Sequence, residues 1–178
     1  MDLEIQLLQI IMNKLILNDL KTANKNTLED LYTLNQDLIP MVGSLNSSSE
    51  LKNLIDESSN SFYIEKKGKL AAFIVCFREK SEYRSLNYRH FDHKYEKFLY
   101  IDRVGVRKTH RNKGIGAYLY EHIFNINEEN KLPICAEVNI KPRNEISLRF
   151  HEKMGFKETS ERTINSNYKV KYVEKNAR

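Results

Sequence analysis

Long apolar runs are missing from this chain. The longest, such as "LAAFIVCF" at 70–77, fall far short of the roughly 20 residues a membrane-spanning helix needs, so no membrane partner is expected. The opening residues, "MDLEIQLLQIIMNKLIL", carry acids early and lack both a basic leading region and a small-residue cleavage site. That makes a poor signal peptide and sets the expectation of a cytoplasmic protein. Cysteine is scarce: Cys76 and Cys135 each sit in an apolar, strand-like run, which fits reduced, buried thiols better than a disulfide or a metal site. No internal repeat is present, and "NSSSE" at 46–50 is the sole low-complexity patch. Glycine occurs only six times, yet two of the six stand one residue apart at 114 and 116, beside Arg111 and Lys113.

What is present is enough for one domain. The chain has 178 residues, 40% hydrophobic and 30% charged, which is ordinary for a soluble globular protein with a sizeable core. The formal charge of +5 is concentrated centrally: from Arg78 to Lys113 eleven Lys or Arg face five Asp or Glu. This bias suits an anionic ligand, whether a phosphorylated cofactor, RNA or an acidic substrate, and also suits a plain solvated face.

The periodicity predicts a mixed α/β sheet with one internal crossover unit. Residues 1–12 read as a helical extension ahead of a domain spanning 13–178, and "KLILNDL" (14–20) reads as a strand. Two helices follow, the first with Thr27 as N-cap and Asp30 three positions on, ending near Pro40. The second has Ser48 or Ser49 as cap and Leu51, Leu54 and Ile55 as its apolar face. A hairpin turns at Gly68, and its second arm is apolar at nearly every position, as a central strand should be. Residues 81–97 show no clean period and read as a long loop, with enough aromatics to argue against disorder. Beyond it come a strand at 98–108, a helix opening at the paired glycines, a strand from Pro133 to Pro142, a helix capped by Asn144 and stopped by Gly155, and two closing antiparallel strands.

A strand feeding a glycine turn and then a helix is an anion-binding device, because unfilled backbone N–H groups and the helix dipole point at the ligand. A Walker loop is excluded, since no Gly-Lys-Ser/Thr occurs, and a dinucleotide fingerprint is excluded, since Leu119 stands where its third glycine belongs. What remains is R-x-x-G-x-G at 111–116. "RVGVRKTHRNKGIGAYLY" resembles the acetyl-coenzyme A signature of the GNAT superfamily of N-acetyltransferases. "NEISLRFHEKMGF" resembles that family's second block at Asn144, Ser147, Phe150, Gly155 and Phe156. The element order is similar from about 14 to 174.

The resemblance implies a single GNAT-like domain: a mostly antiparallel sheet of about seven strands with splayed central strands, flanked by about four helices. It implies acetyl-CoA as cosubstrate, no metal, a small-molecule or peptide amine as partner, and a possible homodimer. Backbone groups of Val104 and Val106 would hold the acetyl and pantetheine arm. The amides from Arg111 through Asn112, Lys113, Gly114 and Ile115 to Gly116 would hold the pyrophosphate, and Asn144 would bond the pantetheine. His151 stands where the family often has a Tyr acid. It would donate to the departing thiolate or simply pack.

Transfer to an amine requires the neutral amine, which for a lysine-like group at pH 7 costs roughly 4 to 5 kcal/mol and calls for a base or desolvation. Strand alternation places Tyr100, Asp102, Val104 and Val106 on one face, and Cys135, Glu137 and Asn139 on another. Asp102 and Glu137 are the two base candidates, and a pairing of Asp102 with Arg103 is the alternative use of that acid. The 81–97 segment is expected over the acceptor site, with Tyr88, Arg89 and Tyr95 lining it beside Asn139, or as an aromatic flap that only excludes water. "HFDH" (90–93) is too sparse a donor set for a metal. A non-catalytic acetyl-CoA sensor is the alternative to an enzyme. An RNA-binding module ranks below both, for want of any RNA-binding motif.

Overall fold

The most apolar strand organises the molecule. In the computed structural model, which describes residues 15–176, β3 (Lys69–Arg78) is buried from Leu70 to Phe77. It lies between β2 (Asn60–Lys66) and β4 (Leu99–Val106), antiparallel to both. Outward on one side is β1 (Leu17–Asp19). On the other come β5 (Ile134–Lys141), β7 (Tyr168–Lys175) and β6 (Lys157–Asn165), giving the order β1-β2-β3-β4-β5-β7-β6. Among the described residues only β4 and β5 pair in parallel. The expected mixed, mostly antiparallel seven-stranded sheet is therefore the observed one. The extension expected at 1–12 lies outside the described residues.

Alternation on the central strands feeds two cores. Phe73, Val75 and Phe77 pack with α1 (Lys25–Asp37), α2 (Ser48–Glu57) and α3 (Leu86–Lys94). Ala72, Ile74 and Cys76 pack with α4 (Ile115–Asn127), and α5 (Glu145–Lys153) closes over the same side through Leu148 and Phe150. Both cysteines are free and buried. Gly105 is dictated by this packing, because a Cβ there would overlap the Phe73 ring and lie 2.6 Å from Leu38 Cδ1.

Three local expectations are corrected. Asn24, not Thr27, caps α1: its side chain accepts from the Thr27 N–H at 2.9 Å. Asp30 is thereby free to accept from the Leu70 N–H and to pair with Arg107. Ser47 caps α2, one residue earlier than expected, by accepting from the Glu50 N–H. The largest difference is α3, a fifth helix inside the supposed loop. Its sequence shows no period because it is short and buries the polar Asn87 next to Tyr88 and Phe91. Ser85 Oγ starts it by accepting from the Asn87 and Tyr88 N–H groups. Burying Tyr88 and Phe91 contributes about 1.5–3 kcal/mol each, enough to hold so short a helix in place. At its far end Lys94 and Tyr95 both bond Glu174 of β7, at 2.6 Å.

One irregularity in β4 shapes everything that follows. Val75 pairs with Arg103 while the next residue, Cys76, pairs with Ile101, so Asp102 is the extra residue of a β-bulge.

Candidate functional site

At that bulge β4 and β5 part. They pair at Leu99–Ile134, Tyr100–Cys135 and Ile101–Ala136, and no further. Along the stretch of β4 that follows, up to the Val106 N–H, the edge facing β5 therefore carries backbone N–H and C=O groups with no strand partner, with Val104 and Val106 partly exposed. Such an edge takes an extended, amide-bearing ligand as an added strand. The strand end is fixed: the Arg107 N–H donates to Ala71 O, and its guanidinium donates to Leu70 O and Asp30.

The chain then makes a 3₁₀ turn at Lys108–His110 and enters the glycine loop. Asn112 and Gly114 both adopt the left-handed region, at φ 58° and 74°. Alternation of this kind turns successive N–H groups into one concavity, a nest for anions. Arg111 Nε donates to Val106 O, and Lys113 Nζ to Thr109 O, which folds both cations back against the loop. Gly114 caps α4 without a side chain, and the first capping bond is from the Tyr118 N–H to Gly114 O. The N–H groups of Ile115, Gly116 and Ala117 thus have no intrahelical acceptor and face outward with the helix dipole behind them. Asn144 Oδ1 caps α5 by accepting from the Ser147 N–H, leaving its Nδ2 donors for a ligand.

Across the splay lies a network of side chains. Glu137 of β5 accepts from Tyr100 OH at 2.6 Å and from Asn87 Nδ2 at 3.1 Å. Burial, then the nearby Asp102 charge, pushes its carboxyl up to about 8, close to the range a general base needs near neutral pH. Asp102 accepts from Tyr83 OH at 2.8 Å and from Arg103 Nε at 2.7 Å. Arg103 also reaches Asn35 and Gly43 O. Burial opposes charge on Arg103, and Asp102 overrides it, so the guanidinium stays ionised. The expected alternation along β4 fails at the bulge. Leu99, Ile101, Val104 and Val106 belong to the α4 side, whereas Tyr100 and the Asp102–Tyr83 pair belong to the α1–α3 side. Cys135, Glu137 and Asn139 share that second side as expected, with Asn139 Nδ2 donating to Pro40 O.

The family model described as Acetyltransferase (GNAT) family matches residues 27–156. The chain belongs to the GNAT acetyltransferase family. No curated protein sequence matches it. Among solved structures, Arabidopsis thaliana NAA60 in complex with a bisubstrate analogue superposes with a TM-score of 0.70 at 17% identity, over 92% of this chain and 98% of that one. Arabidopsis thaliana Naa50 in complex with the bisubstrate analogue CoA-Ac-MVNAL gives 0.66 at 21% identity, over 90% and 97%. The ribosomal-protein-S18-alanine N-acetyltransferase from Escherichia coli gives 0.64 at 17% identity, over 91% and 93%. These likenesses establish a GNAT fold across nearly the whole chain.

In this GNAT domain His151 is buried between α4 and α5, 3% exposed. Its Nδ1 lies 2.8 Å from Ser147 O and must therefore carry the proton, and its Nε2 accepts from Tyr120 OH at 2.8 Å. Burial, opposed by the Ser147 carbonyl, lowers its pKa to about 4, so the ring is neutral. Both ring nitrogens are engaged, and the rings of Tyr120, Phe150 and Phe156 pack edge-on around it.

The acceptor candidates scatter. Tyr88 OH donates to Arg78 O and Tyr95 OH to Glu174, both within the protein's own framework. Arg89 is exposed and lines a small cleft with Ser81, Asp92 and His93. A larger cavity of about 460 Å³ opens between α2 and the segment 82–85, with Arg103 and Tyr83 in its wall. From the 81–97 stretch it is Tyr83 and Asn87, not Tyr88, Arg89 or Tyr95, that reach the two base candidates. Tyr83 was visible only as one of the four aromatics of that stretch, and Asn87 carried no sequence signal at all. The metal-like "HFDH" is absorbed by the helix: His90 stacks on Tyr172, and Asp92 accepts from the Lys80 N–H. Among the described residues no group of three or more His, Cys, Asp or Glu is placed to hold a metal, and no helix is long and apolar enough to cross a membrane.

Proposed function

We propose that this protein is an acetyl-CoA-dependent N-acetyltransferase that moves the acetyl group to a primary amine of a small molecule, amino acid or protein by direct attack in a ternary complex. One observation carries the reading: an open strand edge, 102–106, runs straight into a nest of unfilled amides at 111–117, and the polar network stands across the gap. That continuity fits a ligand with an amide-bearing arm and a pyrophosphate. Acetyl-CoA supplies an activated acyl group whose thiolate leaves readily. The residues of this chain do the rest. Val104 and Val106 align the arm by backbone bonds. The amides and cations of Arg111–Gly116 balance phosphate charge, with Asn144 alongside. A backbone N–H of the open edge stabilises negative charge developing on the carbonyl oxygen.

Glu137 accepts the proton of the amine, and Asp102 serves it indirectly by raising its basicity. Asp102 itself is held in the Arg103–Tyr83 cluster. His151, with both nitrogens bonded inside the protein, braces α5 against α4 beneath the loop. The amine enters through the cavity beside Tyr83. Calorimetric titration with acetyl-CoA followed by an amine screen that monitors free thiol tests the reading. Binding followed by amine-dependent thiol release supports it. Absence of binding overturns it, and binding without release for any amine replaces it with a sensor.

A further inference from the structure

One of the two donors that hold the Glu137 carboxyl is contributed by a segment far away in sequence. Asn87 lies on the first turn of α3, 8% exposed, and its amide bridges two strands: Nδ2 donates to Glu137 Oε1 on β5, and Oδ1 accepts from Tyr172 OH on β7, each at 3.1 Å. Chemistry fixes this orientation, because a flipped amide would set its oxygen against the carboxylate. Tyr100 OH holds the other oxygen, Oε2. The two carboxyl oxygens of Glu137 therefore each receive one donor, and the plane of the carboxyl group is set by both.

The turn that carries Asn87 is itself rigid. Ser85 caps it, Arg162 of β6 donates to Leu86 O, and Lys94 and Tyr95 pin the far end of α3 to Glu174. We propose that Asn87 is a positioning residue for acid–base chemistry: α3 exists in this chain to bring a rigid amide donor to Glu137, holding its carboxylate in the orientation that accepts the amine proton. The inference rests on the assignment of Glu137 as base. The charged or titratable groups facing Glu137 are Tyr100 and Asp102 from β4, Tyr120 from α4, and Tyr168 and Tyr172 from β7, and of these it is Asp102 whose charge pushes the Glu137 carboxyl up. The Asn87 amide and the Tyr100 hydroxyl are thus the neutral donors that offset the cost of ionising Glu137 without adding charge.

The test follows Glu137 directly, by the ¹³C shift of its side-chain carboxyl in protein labelled at Glu, titrated between pH 5 and 10 with no acceptor present. Asn87→Leu keeps the volume and removes the donor. A hydrogen bond to a charged group is worth enough to move the Glu137 midpoint upward by about one to two pH units in that variant. Tyr172→Phe leaves the Nδ2 bond in place but frees the amide's other end, and moves the midpoint less, in the same direction. Asn87→Gln, which restores a donor on a longer arm, recovers part of the shift. A midpoint unmoved in Asn87→Leu, with only a lower Tm, overturns the inference and leaves Asn87 as a brace between α3 and β7. Turnover of Glu137→Gln separates the two claims. Full activity there sinks the base assignment, whereas lost activity with an unmoved Asn87→Leu midpoint sinks the positioning role alone.

Discussion

On the α4 side of the sheet, the groups left open to a ligand are backbone groups: the free edge of β4 and the amides at the start of α4. On the α1–α3 side they are side chains in two hydrogen-bonded clusters, Asn87–Glu137–Tyr100 and Tyr83–Asp102–Arg103. The difference follows from what each side must do. A phosphate and an amide-bearing arm are satisfied by N–H and C=O groups, which any sequence supplies once the strands part and glycine opens the loop. Moving a proton requires a titratable group at a chosen basicity, and that requires burial plus specific neighbours. The two sides also fail differently. A backbone site is lost only when something fills it, whereas a buried side-chain network is lost when any one partner goes.

The largest break is expected at Arg103. Arg103→Met leaves Asp102 buried without its cation, and losing one partner of a buried pair costs about 3–5 kcal/mol, a drop in Tm of order 10 °C by calorimetry. On the other side the matching experiment is Gly116→Ala. A Cβ there makes only ordinary contact with Phe150 at 3.6 Å, so the fold tolerates it. The added carbon stands where a ligand must approach the amides, and acetyl-CoA affinity is expected to fall by about tenfold or more, some 1.4 kcal/mol, with Tm unchanged. The smallest effect is at Tyr120→Phe, which deletes the bond to His151 Nε2 and costs about 1 kcal/mol of stability while turnover stays at the wild-type level. Lost turnover in a stable Tyr120→Phe protein would instead return His151 to the chemistry.

The same contrast explains what the sequence revealed. The backbone site was legible because its requirements are local: Gly114 and Gly116 follow a strand and open a helix, with Arg111 and Lys113 beside them, all within a few residues. The succession of strands along the chain and the central place of β3 were legible for a like reason, through periodicity and an unbroken apolar run. The side-chain network was legible only in its acids. Glu137 and Asp102 stood out as carboxylates in strands, but their partners come from 50 and 19 residues away. The bulge at Asp102 reverses the alternation from which its direction was read, and no residue type announces a bulge there. The helix α3 stayed hidden because the side it buries includes Asn87, a polar residue kept for its hydrogen bonds rather than its hydrophobicity.

The central claim is that Glu137 takes the proton of an amine held against an acyl donor in the β4–β5 gap. It is tested most directly by the pH dependence of amine-dependent thiol release from acetyl-CoA, in the wild type and in Glu137→Gln. With its carboxyl at about 8, Glu137 is increasingly ionised as pH rises from 6 to 9. After correction for the amine's own ionisation, kcat/KM should climb with pH and level off above about 8. In Glu137→Gln that limb should vanish and the rate fall by about 10²–10⁴-fold, with acetyl-CoA binding intact. A Glu137→Gln enzyme that keeps both its rate and the limb near pH 8 would contradict the account.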